Sequence, residues 1–383
     1  MKKFNTLLVG ATLLMAACGG EKEVKETKVA DTVKIGATAP LTGPLAIYGV
    51  TSTNGSKLAM DEINKNGGIL GKQVEFTVLD SKGDPTEAIT AYNKLVDKGI
   101  VAFIGDAPSK PTLAIAEVAA QDNMPMITPN GTQFNITEAG PNVFRTCFTD
   151  PYQGVVLANF AKDNLKAQSV AILVNNSSDY SDGVSKAFLE EAEKLGLNVV
   201  AKEGYSDGDK DFRAQLTKIL PLNPEVLVIP DYYEQAALIT VQAREVGLKS
   251  TFIGPDGWDG VAKTLDPSAY TAVENSYFTN HYSLEDKSPK VQEFVKAYKE
   301  VYNEEPSSFA ALSYDSAYMM KAAIEKAGTT EKQAVIDALK TLDYEGVTGH
   351  LTFDEKNNPV KDVTVLKIVN GEYTFDSIVK PTK

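Results

Sequence analysis

Short runs of β-branched residues alternate with amphipathic stretches along most of this chain. In residues 32–121 the predicted strands are 33–38, 74–80 and 100–105, and the predicted helices are 46–66, 86–98 and 111–121. In residues 170–246 the predicted strands are 170–174, 199–204 and 226–230, and the predicted helices are 182–195, 212–220 and 233–246. Because this alternation is typical of βαβ units, we predict an α/β fold with two doubly wound parallel-sheet lobes.

The length of the chain also favours two domains. The part that follows residue 31 is about 350 residues long, which exceeds what one hydrophobic core usually organises. Residues 285–342 read as three helices that start at Ser288, Ser308 and Thr330, where hydroxyls are suitable N-caps. These helices are too few for a third domain, so we expect them to return to the first lobe. Further strands are predicted at 351–353 and 363–368, with a turn at Asn370 and Gly371.

The first 17 residues have the pattern of a secretory signal peptide. Two lysines precede an apolar run, and small residues precede Cys18. This run is too short for a permanent transmembrane helix. Residues 14–18 resemble the bacterial lipobox, which implies that Cys18 is acylated and becomes the first mature residue; an ordinary signal peptide with an incidental cysteine is the alternative. Residues 18–31 would then be a flexible tether with a reach of about 45 Å. We expect a lipid-anchored extracytoplasmic protein, in the periplasm or at the cell surface.

Charge and cysteine content exclude several classes of partner. The formal net charge is −13, and it becomes −15 without residues 1–17, which contain two lysines and no acid. Such an acidic protein is a poor match for nucleic acid or an anionic membrane surface. The second cysteine, Cys147, lies in a strand-like apolar run at 143–148. We therefore predict a buried thiol without a disulfide partner.

Motifs for enzyme chemistry are absent from the sequence. The two histidines, His281 and His350, lack metal-ligand spacing, and there is no Gly-x-Ser-x-Gly motif. Residues 67–72 contain three glycines and a lysine, but their spacing is that of a helix end and a turn rather than of a phosphate loop. The acids at 207, 209 and 211 lack the glycine and the final acid of a calcium loop. We predict a protein that is not an enzyme and has no cofactor or metal site.

Several short motifs, weak one by one, follow a single order over nearly the whole mature chain. They are residues 42–49, 59–68, 83–85, 104–105, 127–129, 144–146, 211–212, 242–244, 254–257 and 349–354. Together they resemble the leucine/isoleucine/valine-binding family of ABC-importer receptors. That resemblance implies the type I periplasmic binding-protein fold, in which three crossover hinge strands join two lobes that close on a ligand. It also implies a membrane permease and an ATPase as partners, and a monomer.

The family pattern places the three crossovers near residues 148–151, 278–281 and 347–349. The first lobe would then contain residues 32–149 and 280–346. The second would contain residues 150–279 and 347–383.

The same resemblance implies a binding site between the lobes. Ser109 and Thr132 match two helix starts that hold a ligand carboxylate through hydroxyl and backbone N–H groups, although both residues could simply cap their helices. Asp256, with the backbone carbonyl of Asn130, matches the position that holds the ammonium group. An Asx turn within residues 254–257 is the alternative role for Asp256. Four aromatic residues match positions in the pocket wall or could be ordinary core: Tyr48, Tyr180, Tyr232 and Phe309.

The sequence also bears on the type of ligand and on the role of the protein. The α-amino-acid head group is better supported than an aliphatic side chain, because an Asn130 side chain that points inward would favour a polar ligand. We therefore expect a small amino-acid-like ligand, either of the branched-chain type or more polar. A ligand-sensing regulatory protein of the same fold is the alternative, since only the signal peptide and the lipid anchor indicate transport.

Overall fold

The predicted strands of the first repeat form a five-stranded parallel sheet in the computed structural model, which describes residues 32–380. The strands are β1 (Val33–Ala39), β2 (Val74–Asp80), β3 (Ala102–Ile104), β4 (Met126–Thr128) and β5 (Val143–Arg145), in the order β2-β1-β3-β4-β5. The helices between them are α1 (Ala46–Lys65), α2 (Pro85–Asp97) and α3 (Ser109–Gln121). All four strand pairings are parallel, which confirms the βαβ interpretation.

The second repeat builds a separate sheet. Its elements are α4 (Asp150–Asn159), β6 (Ser169–Asn175), α5 (Asp179–Lys194), β7 (Asn198–Tyr205), α6 (Arg213–Ile219), β8 (Val226–Val228), α7 (Tyr233–Glu245), β9 (Thr251–Gly254) and β10 (Tyr277–Asn280). The five strands pair in parallel in the order β10-β9-β8-β6-β7. The predicted elements of this repeat are also confirmed, with ends that shift by a few residues, as helix ends commonly do.

Three helices return to the first sheet, as predicted. They are α8 (Pro289–Tyr302), α9 (Ser308–Ala327) and α10 (Lys332–Lys340). The inner face of α9, including Met319, Met320 and Ile324, shares one buried cluster with Val33 and Ile35 of β1. Burial of this apolar stripe fixes α9 to the first lobe, although Met319 lies 286 residues after Val33 in the chain.

Two of the three predicted helix caps lie one residue away from the true caps. Ser288 precedes α8 as predicted, without a side-chain capping bond. The cap of α9 is Ser307, whereas Ser308 is the first helical residue and bonds to Asp259. Glu331, rather than Thr330, caps α10, because its carboxylate accepts from two first-turn N–H groups.

Residues 344–360 form a small sheet of their own. The short strands β11 (Tyr344–Gly346), β12 (Gly349–Phe353) and β13 (Pro359–Val360) form a small antiparallel sheet. Leu351 is buried in the core of the first lobe, and the Phe353 ring packs 5.0 Å from that of Phe144. Leu351 and Phe353 therefore pack against the first lobe, whereas the family pattern assigns residues 347–383 to the second lobe.

The chain ends on the edge of the second sheet. Strands β14 (Val363–Val369) and β15 (Glu372–Val379) add antiparallel to β10, which completes seven strands. Asn370 and Gly371 form the predicted turn between them, with φ angles of 52° and 80°. Two successive positive φ angles match the right-handed twist of a tight hairpin and favour an Asn-Gly pair.

The thiol of Cys147 lies just after β5 and is fully buried. It is a free thiol, and burial raises its pKa to about 12. A thiol in this state is protonated and unreactive at neutral pH. The prediction of a buried cysteine without a disulfide partner is confirmed.

Candidate ligand-binding site

A cleft of about 510 Å³ opens at the carboxyl ends of strands from both sheets. On the first-lobe side it is lined by the loop after β2 and by the start of α3, and on the second-lobe side by the loops after β6, β7 and β8. The carboxyl edge of a parallel sheet is where α/β proteins of this kind bind ligands. Ser109, Tyr180 and Tyr232, three of the predicted site residues, line this cleft.

The first lobe carries two neighbouring hydroxyls, one at the start of α3 and one in the loop after β4. Ser109 is the first residue of α3 and follows Pro108, which provides no side-chain cap. The N–H groups of Ser109 and Lys110 lie in the first turn of this helix, ahead of Pro111. Thr132 lies just after β4 with its hydroxyl 3.5 Å from that of Ser109. Both residues are buried. Burial is the main effect on the pKa of the Tyr232 hydroxyl and raises it, whereas the Ser109 N–H and hydroxyl both face that hydroxyl and lower its pKa. First-turn N–H groups and adjacent hydroxyls of this kind provide a site for an anionic group.

The loop that carries Thr132 is held in place by Arg145, at the end of β5. The buried guanidinium donates to the carbonyls of Gly131 (3.0 Å), Gln133 (2.9 Å) and Phe134 (2.9 Å). Three carbonyls that face one cation can satisfy it without a carboxylate partner. In the sequence, Arg145 stands out only as part of a family motif, because a buried arginine cannot be distinguished from a surface one at that level.

Aromatic rings from both lobes meet beside these hydroxyls. Tyr48 stacks on Phe309 at 4.2 Å, and Tyr180 stacks on Tyr232 at 4.6 Å. The Tyr48 hydroxyl donates to the Gly257 carbonyl and accepts from the Tyr233 N–H at 3.2 Å. Since Tyr48 belongs to the first lobe and Gly257 to the second, this hydroxyl links the lobes across the cleft.

The Asp256 carboxylate is the centre of a buried hydrogen-bond network. Its Oδ1 accepts from the Tyr180 hydroxyl at 2.8 Å and from Gln153 Nε2 at 3.0 Å. Its Oδ2 lies 3.1 Å from His281 Nε2. Gln153 also accepts from the Asp256 N–H at 2.8 Å and from the Thr279 hydroxyl at 2.7 Å. Asp256 thus connects α4, α5, β10 and the segment after β10.

His281 is the neutral donor in this network. Burial lowers its pKa to about 4, so the ring is neutral at pH 7 and donates one N–H to Asp256. The opposite face of the cluster is closed by Phe148, whose ring stacks on the imidazole at 3.8 Å. This histidine is structural support for Asp256 rather than an exposed acid or base.

A second buried acid, Asp150, was missed by the sequence analysis. It is the first residue of α4, and its backbone N–H donates to the Thr132 carbonyl at 2.9 Å. Burial is the main cause of a pKa well above the usual range for this carboxyl group, and the nearby charge of Asp256 raises it further. Thr149, Asp150 and Pro151 have the pattern of an ordinary capped helix start, so the sequence did not indicate Asp150 as a site residue.

Comparison with known proteins now identifies the family. The sequence profile described as periplasmic binding protein matches residues 32–372. The chain belongs to the periplasmic binding protein family. The resemblance and the fold class predicted from the sequence are both confirmed, and the family consists of binding proteins rather than enzymes.

Relatives of this binding protein cover nearly its whole length. The leucine-, isoleucine-, valine-, threonine- and alanine-binding protein of Pseudomonas aeruginosa is 32% identical over 331 residues, which are 86% of this chain and 87% of that protein. The crystal structure of the branched-chain amino acid transporter substrate binding protein LivJ from Streptococcus pneumoniae, in complex with isoleucine, has a TM-score of 0.84 and 35% identity, and the match covers 91% of this chain and all of LivJ. The leucine binding protein LivK from Thermotoga maritima also has a TM-score of 0.84, with 34% identity and coverage of 91% and 99% of the two chains.

The remaining predicted site residues of this binding protein have different surroundings. The Asn130 side chain turns to α1, where its Nδ2 donates to Ser52 at 2.6 Å, and its Oδ1 has no partner among residues 32–380. Trp258, which follows Asp256 by two residues and is not one of the predicted site residues, is fully buried and donates to the Ile229 carbonyl at 2.9 Å, so it is a core residue. Cys18 lies outside the described residues. Between residues 32 and 380, no helix combines the length and the apolar character needed to cross a bilayer.

Proposed function

We propose that this protein is the extracytoplasmic receptor of an ABC importer and that it binds a free α-amino acid between its lobes. The observation that supports this most is the charge layout of the cleft. Hydroxyls at Ser109 and Thr132 and the N-terminus of α3 lie in the first lobe, the buried acid Asp256 lies in the second lobe, and the buried acid Asp150 begins α4 beside Thr132. A zwitterion carries the two complementary charges, and both would be desolvated only in the presence of such partners.

The carboxylate of the amino acid would occupy the anion site of the first lobe. It would accept hydrogen bonds from the Ser109 and Thr132 hydroxyls and from the first-turn N–H groups of α3, with added stabilisation from the positive end of that helix. The ammonium group would face the acids, where the family resemblance points to Asp256 and to the Asn130 carbonyl. Tyr48, Tyr180, Tyr232 and Phe309 would then cover the bound head group with rigid apolar surface.

The ligand side chain would extend from Tyr180 and Tyr232 into the open part of the cleft. This part is not uniformly apolar, because Asn175 donates to both Asp207 (2.8 Å) and Asp231 (3.1 Å), and all three residues line the cavity. Exposed lysines at 82, 110 and 210 lie at its rim. The relatives named above bind mainly aliphatic amino acids, whereas this wall would also accept a polar side chain.

A thermal-shift screen of residues 32–383 tests the proposed function. We expect at least one proteinogenic amino acid to raise the melting temperature, because a ligand that binds only the native state adds RT ln(1 + [L]/Kd), about 2.7 kcal/mol at a hundredfold excess over Kd. The matched amine, which lacks the carboxylate, and the matched deaminated acid should each give little or no shift. If no amino acid stabilises the protein, or if the amine and the acid act equally well, the proposed function is wrong.

The proposed anchor is Cys18, and its test is independent of the ligand. Acyl chains would add the apolar area that holds an acidic protein at a bilayer. In detergent phase partitioning of natively expressed protein, wild type should enter the detergent phase and Cys18→Ser should remain in the aqueous phase. Wild-type protein in the aqueous phase would exclude the lipid anchor without affecting the binding proposal.

A further inference from the structure

A second, much smaller cavity of about 10 Å³ lies within the first lobe. It is enclosed by residues of β1, α1, the loop after β3, and α9. Its volume corresponds to about one water-sized particle. Six polar side chains in its lining are each more than nine-tenths buried: Thr38, Ser52, Thr53, Ser56, Asp106 and Ser313.

Four oxygens of this lining have no hydrogen-bond partner of good geometry among residues 32–380. They are Thr38 Oγ1, Thr53 Oγ1, Asp106 Oδ2 and Ser313 Oγ. Buried side-chain oxygens of native proteins nearly always have a partner, and each exception requires an explanation. Because all four belong to residues around one small cavity, a single shared occupant would explain them together.

The two helix hydroxyls in this group depart from the usual behaviour of such groups. A serine or threonine inside a helix commonly donates to the carbonyl four residues earlier. Ser316 of α9 does so, to the Leu312 carbonyl at 2.8 Å. Thr53 of α1 and Ser313 of α9 make no such bond. Their hydroxyl oxygens therefore remain available to an occupant of the cavity.

Asp106 brings a negative charge to the cavity. Burial raises the pKa of this carboxyl group to about 6, although the Ser81 and Thr38 hydroxyls lower it, so the group is ionised at pH 7. Its Oδ1 accepts from the Ala107 N–H at 2.6 Å. The nearby charge of Asp80 is also negative, and no basic side chain of residues 32–380 forms an ion pair with Asp106. A buried carboxylate of this kind is costly without a cation beside it.

The lining indicates which class of cation would fit. Oxygen ligands suit hard cations. Among residues 32–380, no group of three or more histidine, cysteine, aspartate or glutamate side chains could hold a metal ion, and this cavity offers one carboxylate. Ca²⁺ takes about six to eight oxygens, and Mg²⁺ retains several waters, for which a cavity of about 10 Å³ has no room. A dehydrated monovalent cation matches both the charge and the volume, whereas a water molecule would leave the carboxylate uncompensated.

We propose that this cavity is a binding site for a dehydrated monovalent cation, with Na⁺ as the ion of suitable size. The ligands would be the Asp106 carboxylate and the hydroxyls of Thr38, Thr53 and Ser313. The bound ion would tie the loop between β3 and α3 to helices α1 and α9.

This site is separate from the amino-acid site, and the inference does not depend on the proposed function. The two sites are nevertheless neighbours in the first lobe. Asp106 lies three residues before Ser109, and Ser52 accepts from the Asn130 side chain at 2.6 Å. An ion at Asp106 would therefore help to hold residues assigned to the ligand.

Thermal unfolding without amino acid tests the site. Residues 32–383, which form one compact unit, are unfolded in NaCl, KCl and N-methylglucamine chloride at equal ionic strength. Equal ionic strength cancels general screening of this acidic protein, and N-methylglucamine is too large for the cavity. We expect Na⁺ to raise the melting temperature by about 1–2 °C at a fivefold excess over Kd. A shift with Na⁺ or K⁺ supports the site, and equal melting in all three salts would overturn it and leave an ordered water as the occupant.

Two nearly isosteric variants locate the ion. Asp106→Asn removes the charge and Thr53→Val removes one hydroxyl, so each should lose most of the Na⁺-dependent shift. The exposed control Asp97→Asn should retain the whole shift. Thr53→Val decides the matter if Asp106→Asn does not fold. A full wild-type shift in either cavity variant would overturn the inference, because the ion would then bind elsewhere.

Discussion

Replacement of Asp256 by alanine should lower the free energy of unfolding of the unliganded protein by about 3–5 kcal/mol, since each buried donor left without an acceptor costs about 1–3 kcal/mol. The carboxylate accepts from Tyr180, Gln153 and His281, and all of these groups are inaccessible to water. Urea or thermal unfolding of residues 32–383 without ligand measures the change. The family resemblance alone leads to a different expectation, in which loss of Asp256 removes binding and leaves the unliganded fold nearly unchanged.

The control for this variant is Asp97→Ala, at the exposed end of α2. A surface substitution of this kind should change the free energy of unfolding by less than about 0.5 kcal/mol. An unfolding midpoint of Asp256→Ala that equals that of wild type would show that the network does not depend on this carboxylate. Asp256 would then be better assigned to the ligand alone.

Replacement of Arg145 by methionine should destabilise the protein by about 3–6 kcal/mol, because it leaves three carbonyls without a donor at about 1–3 kcal/mol each. Methionine approximates the volume of the arginine stem, so the loss reports on hydrogen bonds more than on a cavity. Since the three carbonyls belong to the loop of Thr132, amino-acid affinity should also fall. Chemical unfolding and calorimetric titration of the same preparation measure both effects.

Arg213→Met is the matched control, because the Arg213 side chain is 50% exposed and pairs with Glu245 on the surface. An exposed ion pair of this kind is worth at most about 1 kcal/mol. If Arg145→Met is no less stable than Arg213→Met, the loop is held by other contacts. The assignment of Arg145 as the support of the Thr132 loop would then be withdrawn.

Most strands and helices of both lobes could be predicted from the sequence, because their signals are local. The alternation of β-branched runs with amphipathic stretches depends on neighbours within one or two turns, and the Asn370-Gly371 turn depends on two residues. Helix caps depend on tertiary contacts as well. Ser307 and Ser308 are adjacent and chemically identical, and only the position of Asp259 decides which hydroxyl caps α9.

The acids of the site show where prediction from local pattern ends. The family motif at 254–257 drew attention to Asp256, but its partners Gln153 and Tyr180 lie 103 and 76 residues away in the chain. Asp150 has the local pattern of an ordinary helix start. Its burial under α5 exists only after the two lobes have come together.

The sequence by itself determined the two parallel-sheet lobes, the return of helices α8, α9 and α10 to the first lobe, and the family. Each of these follows from periodicity or from motifs in a fixed order. The tertiary structure alone decided that residues 349–360 pack on the first lobe, since that choice depends on the fit of Leu351 and Phe353 into a core built by distant segments. It also decided which acid retains free acceptors. Hydrogen-bond capacity is a property of a residue and all its neighbours, and the neighbours of Asp150 and Asp256 come from parts of the chain that only folding brings into contact.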